Sequence, residues 1–260
     1  MPIPNFKNVA VVVTGGAGFI GSHLVDALVK RGAAVTVLDD LSTGSERNLE
    51  SVRSRVRFLR GDIRDAVVCR EACDGAEFVF HLAALGSVPR SMKDPSATMD
   101  VNVRGTAVVF ASCRDAGVPA VVYSSSSSVY GDSVRTPKRE GEEGQPLSPY
   151  ALSKATGERL AGVFDRCYGM KSIGLRYFNV FGPRQDPHGP YAAVVPRFFA
   201  AARGGYPPII YGDGLQSRDF TYVDDVVHGN LLASGAPTEV WGGIFNIAPG
   251  RAVTLSLIHI

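Results

Sequence analysis

The sequence predicts an α/β protein in which a doubly wound parallel sheet precedes a smaller C-terminal unit. Short apolar runs alternate with helix-like segments through the first two-thirds of the 260 residues, as in a parallel sheet with helices on both faces. The alternation stops after Phe181, where residues 182–190 are rich in glycine and proline. We therefore expect residues 1–180 to form one domain and residues 181–254 to form part of a second.

The expected elements follow one another in the order that such a sheet requires. The strands are short apolar runs, at residues 9–13, 35–38, 56–59, 78–82, 120–124 and 173–177. The helices that separate them lie near residues 19–31, 66–73, 97–116 and 149–168. In the second unit we expect a helix at 192–203 and short strands at 209–211 and 220–223.

Composition and charge exclude several classes of protein. With 45% hydrophobic and 20% charged residues, the chain is an ordinary globular protein. A net charge of +2 without a lysine-arginine block argues against a nucleic-acid partner. Because no signal peptide and no apolar run near ~18 residues is present, we expect a cytoplasmic protein without a membrane partner. The four cysteines form no CxxC pair, so we expect free thiols and no metal site.

A glycine-rich turn links the first strand to the first helix. Gly15, Gly18 and Gly21 follow a GxxGxxG pattern, and Gly16 with the last two satisfies GxGxxG. Glycine is required where the backbone turns tightly and approaches a pyrophosphate, which the free N–H groups of the helix then bind. Asp39 ends the second strand, where an acid binds the ribose 2′-hydroxyl and would repel a 2′-phosphate. These features predict a Rossmann-type domain that binds NAD; the alternative is a packing turn without a ligand.

Residues 124–128 are five consecutive serines. Serine-rich stretches are often flexible linkers. This one instead follows an apolar, partly β-branched segment at residues 118–123, which indicates a buried strand. We therefore expect the serines to end the fifth strand, at the edge of the sheet where ligands bind.

The next helix begins with the sequence SPYALSK. Ser148 is an N-cap residue and Pro149 fits the first helical position. Tyr150 and Lys154 are four residues apart and share one helix face. A neighbouring ammonium favours the phenolate, and a tyrosine that acts as a base near pH 7 needs a pKa shift of about 3 units. The pair predicts a catalytic base; the alternative is a chance YxxxK in which the tyrosine packs near a solvated lysine.

Together these motifs resemble the extended short-chain dehydrogenase/reductase family, which contains nucleotide-sugar epimerases and dehydratases. The resemblance covers essentially the whole chain and rests on TGGAGFIGS, HLAA, YSSSSSVYG, SPYALSK, LRYFNVFGPRQ and GDGLQSRDFTYVDD. It implies that Ser126 hydrogen-bonds the sugar hydroxyl that is oxidised and that Tyr150 removes its proton. Lys154 completes the implied catalytic group.

The resemblance also implies cofactor and substrate contacts. The implied NAD contacts are Gly15, Gly18, Phe19, Ile20, Gly21, Asp39, Thr43, Gly44, Asp62, Ile63, Leu82, Ala83, Asn102, Tyr150, Lys154 and Phe178. The implied substrate contacts are Gly86, Ser87, Ser126, Ser127, Ser128, Asn179, Val195 and Arg218. A guanidinium fork suits the diphosphate of a UDP-sugar. The alternative for Arg218 is a surface arginine paired with Asp219 or Asp224.

The residues before VYG bear on the reaction type. Relatives that dehydrate or decarboxylate the sugar generally have an acid there, whereas this chain has Ser127 and Ser128. The resemblance therefore favours reversible C4 epimerisation of a UDP-sugar through a 4-keto intermediate, with NAD as hydride acceptor. Residues 83–91 and 184–196 look most like epimerases that prefer UDP-N-acetylhexosamines, and UDP-glucose/UDP-galactose is the other pair. The alternatives are a UDP-glucuronate decarboxylase, a nucleotide-sugar 4,6-dehydratase or a non-catalytic NAD-sensing scaffold.

The last residues of the chain differ from what the resemblance implies. The family's substrate domain continues well beyond Ala248, whereas this chain closes with LSLIHI at residues 255–260. These residues can be encoded as CTG TCT CTT ATA CAC ATC, which resembles a transposon adapter end, so we expect a non-native tail on a truncated chain. The alternative is a genuine apolar strand. The resemblance also implies a homodimer formed through a four-helix bundle, with residues 97–116 and 149–168 as its faces.

Overall fold

A computed structural model describes residues 3–187, 192–210 and 212–255. Its strands are β1 (Ala10–Thr14), β2 (Ala34–Asp39), β3 (Val56–Arg60), β4 (Phe78–His81), β5 (Ala120–Ser126), β6 (Lys171–Tyr177), β7 (Val180–Phe181), β8 (Ser217–Asp219), β9 (Thr221–Tyr222), β10 (Ile244–Ile247) and β11 (Ala252–Thr254). Its α-helices are α1 (Phe19–Lys30), α2 (Ala66–Cys73), α3 (Val88–Lys93), α4 (Pro95–Met99), α5 (Thr106–Asp115), α6 (Pro149–Tyr168), α7 (Val194–Gly204) and α8 (Val223–Ser234). Short 3₁₀ helices cover Glu46–Arg55, Ser127–Tyr130 and Thr238–Val240, and a π-helical turn covers Asp100–Gly105.

Within the described residues, seven strands form one parallel sheet in the order β10-β6-β5-β4-β1-β2-β3. The chain proceeds from β1 to β2 and β3 on one side, and β4 then starts the other side. The strand order therefore reverses between β1 and β4. Such a switch point leaves a crevice beyond the carboxyl ends of the strands, where ligands bind. The predicted doubly wound parallel sheet is confirmed.

The two faces of the sheet each bury an apolar cluster. Val11 and Val13 of β1 belong to the cluster that includes Leu24 of α1, whereas Val12 belongs to the cluster that includes Phe110 of α5. This division follows from the two-residue period of a strand, which points successive side chains to opposite faces. Because each buried Val, Leu or Phe contributes roughly 1.5–3 kcal/mol, both helical layers are held firmly against the sheet.

The predicted helix at residues 97–116 is divided in the structure. It consists of α4, the π-helical turn and α5. At the turn, the hydroxyl of Thr106 donates to the carbonyl oxygen of Asn102 at 2.6 Å. A hydrogen bond from a threonine hydroxyl to the carbonyl oxygen four residues earlier bends a helix. The spacing of apolar residues in the sequence does not predict this bend.

The second unit differs more from the expectation. Ile209 and Ile210 are not in a strand, since Pro207 and Pro208 before them lack the N–H groups that a ladder needs. The expected strand at 220–223 is shorter, because α8 begins at Val223. β10 pairs with β6, so the main sheet takes a strand from the segment expected to form the second domain.

The helix expected at residues 192–203 is confirmed as α7. Three parts of the expectations lie outside the described residues: Tyr211, residues 188–190 of the turn-rich stretch and residues 256–260 of the expected tail. None of the described helices combines the length and the apolar character needed to cross a membrane.

Candidate active site

A cleft of about 590 Å³ lies at the switch point of the sheet. The glycine turn after β1 and the segment after β4 form part of its wall, and Tyr150 and Lys154 of α6 form another part. The expected site residues that line it are Gly15, Gly18, Phe19, Ile20, Gly21, Asp39, Thr43, Gly44, Ile63, Leu82, Ala83, Gly86, Tyr150 and Lys154. The structure thus brings the expected cofactor turn and the expected base to one cavity.

The glycine turn has the geometry of a phosphate site. Gly15 has φ +69°, and a Cβ there would lie 2.7 Å from the backbone nitrogen of Ala83. A Cβ on Gly21 would lie only 2.1 Å from the carbonyl oxygen of Gly15. The α1 helix starts at Phe19, and its N-cap Gly18 forms no side-chain cap, so the first N–H groups are free to bind an anion. The turn therefore fits the pyrophosphate of a dinucleotide.

Asp39 is positioned for the adenosine ribose. Its side chain is buried, and its two oxygens accept hydrogen bonds from the N–H groups of Ala17 (2.9 Å) and Leu41 (2.8 Å). Burial raises the pKa of the Asp39 carboxyl, and these two hydrogen bonds oppose the rise. Each carboxylate oxygen has a second lone pair for a ribose hydroxyl. The free N–H groups of the glycine turn and the carboxylate of Asp39 therefore fit the pyrophosphate and the ribose of NAD.

The start of α6 orients the expected base. The Ser148 hydroxyl accepts a hydrogen bond from the N–H of Ala151 at 3.1 Å, and Pro149 occupies the first turn, so the predicted cap is confirmed. Burial raises the pKa of Tyr150, and the interaction of its phenol with the Ser126 side chain opposes the rise. The net direction is opposite to the one predicted from the neighbouring lysine.

The lysine contacts explain that difference. Lys154 Nζ donates to the carbonyl oxygen of Ser124 at 2.9 Å and to its hydroxyl at 3.2 Å. Its hydrogen bonds therefore go to the strand rather than to the phenol. Burial lowers the pKa of Lys154 to about 8, and the charge of Glu158 opposes this effect. Because this pKa is close to neutral pH, small changes in the surroundings of Lys154 alter the fraction of the side chain that is protonated.

Ser124–Ser126 end β5, as predicted, whereas Ser127 and Ser128 begin a 3₁₀ helix instead of continuing the strand. Ser124 and Ser125 line the cleft. The Ser126 hydroxyl accepts hydrogen bonds from the N–H of Ser128 (3.2 Å) and from its hydroxyl (2.9 Å). Strand geometry therefore ends at the residue that contacts Tyr150, and a 3₁₀ turn begins at Ser127.

Three expected NAD contacts are not part of the cleft wall: Asp62, Asn102 and Phe178. The Asp62 carboxylate is bound by Arg64, with Nε at 3.0 Å. Asn102 accepts a hydrogen bond from the N–H of Leu85 at 2.8 Å and donates to Ser153 Oγ at 3.0 Å. Asn102 therefore joins two segments that are distant in the sequence, whereas Asp62 binds an arginine of its own loop.

Most of the expected substrate contacts also lie outside that wall: Ser87, Ser126, Ser127, Ser128, Asn179, Val195 and Arg218. Asn179 Nδ2 donates to the carbonyl oxygen of Asp219 at 2.9 Å. Arg218 is exposed and donates to the carbonyl oxygen of Ser217 at 2.7 Å. Across the described parts of the chain it forms no salt bridge with Asp219 or Asp224, so that alternative pairing is wrong. Its guanidinium remains accessible to an anion.

Sequence reasoning missed several residues of the site. Arg90 and Arg184 line the cleft, and Arg184 Nη2 donates to Asp26 Oδ2 at 2.6 Å. Glu158 and Arg176 lie behind the serine strand as a buried ion pair. One signal was available for Glu158, because it follows Lys154 by one helical turn, in the sequence KATGE.

Comparison with known proteins decides the family. Residues 11–248 match the model of the NAD dependent epimerase/dehydratase family. The chain belongs to this family. It is 41% identical over 252 residues to the UDP-glucose 4-epimerase of Mycolicibacterium smegmatis, covering 95% of this chain and 80% of that protein.

Solved structures of this family have the same fold. One is the UDP-N-acetylglucosamine 4-epimerase of Methanobrevibacter ruminantium in complex with UDP-N-acetylmuramic acid, at TM-score 0.93 and 42% identity over 97% of this chain and 80% of that one. Another is the dTDP-glucose 4,6-dehydratase of Streptomyces venezuelae with NAD bound, at TM-score 0.89 and 34% identity over 96% and 79%. This family member is therefore an NAD-dependent enzyme.

Proposed function

We propose that this family member catalyses the reversible C4 epimerisation of a UDP-sugar. The placement of Tyr150 and Lys154 in one cleft, with the Ser126 side chain acting on the Tyr150 phenol at the end of the serine strand, carries the proposal. The N-acetylglucosamine/N-acetylgalactosamine and glucose/galactose pairs are the proposed substrates. Similarity to a UDP-glucose 4-epimerase and to a UDP-N-acetylglucosamine 4-epimerase supports both.

NAD supplies the hydride acceptor and, when oxidised, a positive charge. The glycine turn would hold its pyrophosphate and Asp39 its adenosine ribose. Asp39 also favours NAD over NADP, because a carboxylate repels a 2′-phosphate. The wall formed by Leu82, Ala83 and Gly86 completes the proposed cofactor side of the cleft.

Tyr150 is the proposed base. Its phenolate would accept the proton of the sugar 4-hydroxyl and return it after the sugar has turned over. Ser126 would orient that hydroxyl, since its side chain acts on the phenol. Because burial raises the pKa of Tyr150, the phenolate needs nearby positive charge, and Lys154 is the cation on the same helix face.

The remaining proposed contacts keep the substrate bound during rotation of the keto sugar. Arg218 is exposed and has a free guanidinium edge for the diphosphate. Ser127 and Ser128 supply hydroxyl groups rather than an acid where elimination or decarboxylation would need one. Epimerisation needs no acid at these positions, which is why it is preferred to the two related reactions.

The test of this proposal is the Tyr150→Phe variant. We expect turnover of UDP-sugars to fall by about 10²–10⁴-fold, the usual contribution of a general base, while the NAD dissociation constant measured by calorimetry changes little. Tyr168→Phe is the matched control, because Tyr168 lies on the same helix and is exposed. Near-normal epimerase activity in Tyr150→Phe would defeat the assignment.

Product analysis separates the related reactions. Incubation with UDP-glucose, UDP-N-acetylglucosamine and UDP-glucuronate is followed by mass spectrometry and proton NMR. Epimerisation leaves the mass of the nucleotide sugar unchanged. A loss of water or of carbon dioxide would instead identify a dehydratase or a decarboxylase.

A homodimer is the proposed assembly. The exposed apolar side chains Leu152 and Val163 of α6 and Met92 of α3 support it, because exposed apolar groups of neighbouring helices favour helix–helix contact. Sedimentation velocity measures the mass. A monomer at micromolar concentration would reject the four-helix-bundle interface.

A further inference from the structure

A buried ion pair lies directly behind the catalytic helix and the serine strand. Glu158 follows Lys154 by one turn of α6, and its side chain is only 9% exposed. Arg176 of β6 binds both of its oxygens, with Nε to Oε1 and Nη2 to Oε2 each at 2.8 Å. The Ser125 hydroxyl donates to Oε1 at 2.5 Å. One carboxylate therefore joins α6, β5 and β6 beside the residues that the reaction uses.

The arginine is bound on its other side as well. Its side chain is 4% exposed, and Nη1 donates to the Tyr130 hydroxyl at 3.1 Å and to the Glu143 carboxylate. The Tyr130 hydroxyl in turn donates to Asn246 Oδ1 at 2.8 Å. We call Glu143, Arg176 and Glu158 the Arg176 cluster. It contains two negative charges and one positive charge, so it has a net negative charge.

We propose that Glu158 is a positioning residue that keeps Lys154 protonated and holds the serine strand at the correct distance from it. The proposal rests on the proposed function, in which Lys154 stabilises the Tyr150 phenolate. Both parts follow from the contacts: Lys154 binds Ser124, Glu158 binds the adjacent Ser125, and the two side chains lie on one helix face.

Among the described residues, Glu158 is the negative charge that acts on Lys154. On β4, His81 hydrogen-bonds with the hydroxyls of Thr14 (2.7 Å) and Thr106 (3.0 Å), and burial lowers its pKa to about 3, so it is neutral. Burial raises the pKa of Tyr150 of α6, which favours the neutral phenol, and Ser124 of β5 is uncharged. Arg176 of β6 adds a positive charge. The Glu158 carboxylate is therefore the group that offsets burial of the ammonium.

The expected consequence is that the charge of Glu158 keeps the Lys154 amine protonated. Burial alone lowers the pKa of Lys154, and Glu158 raises it. If Glu158 loses its charge, Lys154 becomes neutral closer to physiological pH and no longer favours the phenolate. A purely structural ion pair would leave the protonation of Lys154 unchanged.

The experiment measures the Lys154 pKa directly in the full chain. The sequence contains six lysines, so carbon-13 NMR of protein labelled at the lysine Cε gives few signals, and Lys154→Arg assigns the one of interest. In Glu158→Gln we expect that pKa to fall by about 1 unit, the usual effect of a nearby opposite charge. Glu142→Gln is the matched control, because Glu142 pairs with Arg135 outside the cluster, and its Lys154 pKa should equal that of the parent.

Glu158→Met provides a second reading if Glu158→Gln does not fold, because it also removes the charge and has a side chain of similar length. It should lower the Lys154 pKa by a similar amount. An unchanged Lys154 pKa in either folded variant overturns the proposal. These measurements need no turnover, so they decide the inference even where the parent shows no epimerase activity.

If the parent protein shows epimerase activity, the pH dependence of kcat/KM provides a second measurement. The alkaline limb of the kcat/KM profile should move to lower pH in Glu158→Gln by the same amount as the Lys154 pKa. A shifted pKa with an unmoved alkaline limb would overturn the catalytic part of the inference. Absence of activity from the parent would reject the proposed function alone.

Discussion

The Gly21→Ala substitution tests whether the glycine turn is shaped by close backbone approach. The new Cβ would lie 2.1 Å from the carbonyl oxygen of Gly15 and 2.8 Å from the Cα of Gly16. Close carbon–oxygen contacts in proteins are about 3.3 Å or longer. The turn or the helix must therefore move by roughly 1 Å, and both neighbours are backbone atoms that cannot rotate away.

Overpacking of this kind costs typically about 1–3 kcal/mol, and the short contact places Gly21→Ala near 3. For a chain of this size, each kcal/mol lowers the melting temperature by roughly 2–4 °C, so we expect a fall of roughly 6–12 °C in calorimetry. Because the same turn would receive the pyrophosphate, the NAD dissociation constant should also rise at least about tenfold, or about 1.4 kcal/mol.

Gly157→Ala is the matched control for this prediction. A Cβ on Gly157 of α6 meets no atom within 4 Å, and alanine is favoured over glycine in a helix by roughly 0.5–1 kcal/mol. We expect a slightly higher melting temperature and unchanged NAD affinity. A Gly21→Ala protein with the melting temperature and NAD affinity of the parent would refute the packing argument.

Three further predictions concern charge. Asp39→Ala should weaken NAD binding and reduce the preference for NAD over NADP, which fluorescence titration of both cofactors measures. The pKa of His81 is about 3 in the folded protein and near 6.5 in the unfolded chain. Between these two pH values only the unfolded chain binds the proton. The free energy of unfolding should therefore fall by about 1.4 kcal/mol per pH unit as the pH drops below 6.5. Urea unfolding should show that slope reduced in His81→Gln. Arg218→Ala should raise KM for UDP-sugars about tenfold or more with a smaller effect on kcat, and an unchanged KM contradicts a diphosphate contact.

The glycine turn and Asp39 were predictable because their chemistry is local. A strand, a tight turn and a helix follow one another along the chain, and the acid lies at the next strand end. The start of α6 was predictable for the same reason, because Ser148 and Pro149 are residues typical of a helix N-terminus. The alternation of apolar runs also predicted the strands of the parallel sheet up to β6.

Other parts of the site depend on residues that are distant in the sequence. Nothing local indicates that Asn102 binds Leu85 and Ser153. The addition of β10 beside β6 was missed for the same reason, since one short apolar run resembles another until its partner is known.

The sequence by itself determined the fold class, the glycine turn and the position of Tyr150 and Lys154 on one helix face, because periodicity and turn chemistry act over a few residues. Only the tertiary structure decided the charge environment of that lysine. Its Nζ binds Ser124, and the Arg176 cluster assembles from α6, β6 and the segment before α6. Burial and charge are properties of this assembly, so the protonation of Lys154 and Tyr150 depends on the folded molecule rather than on the motif that contains them.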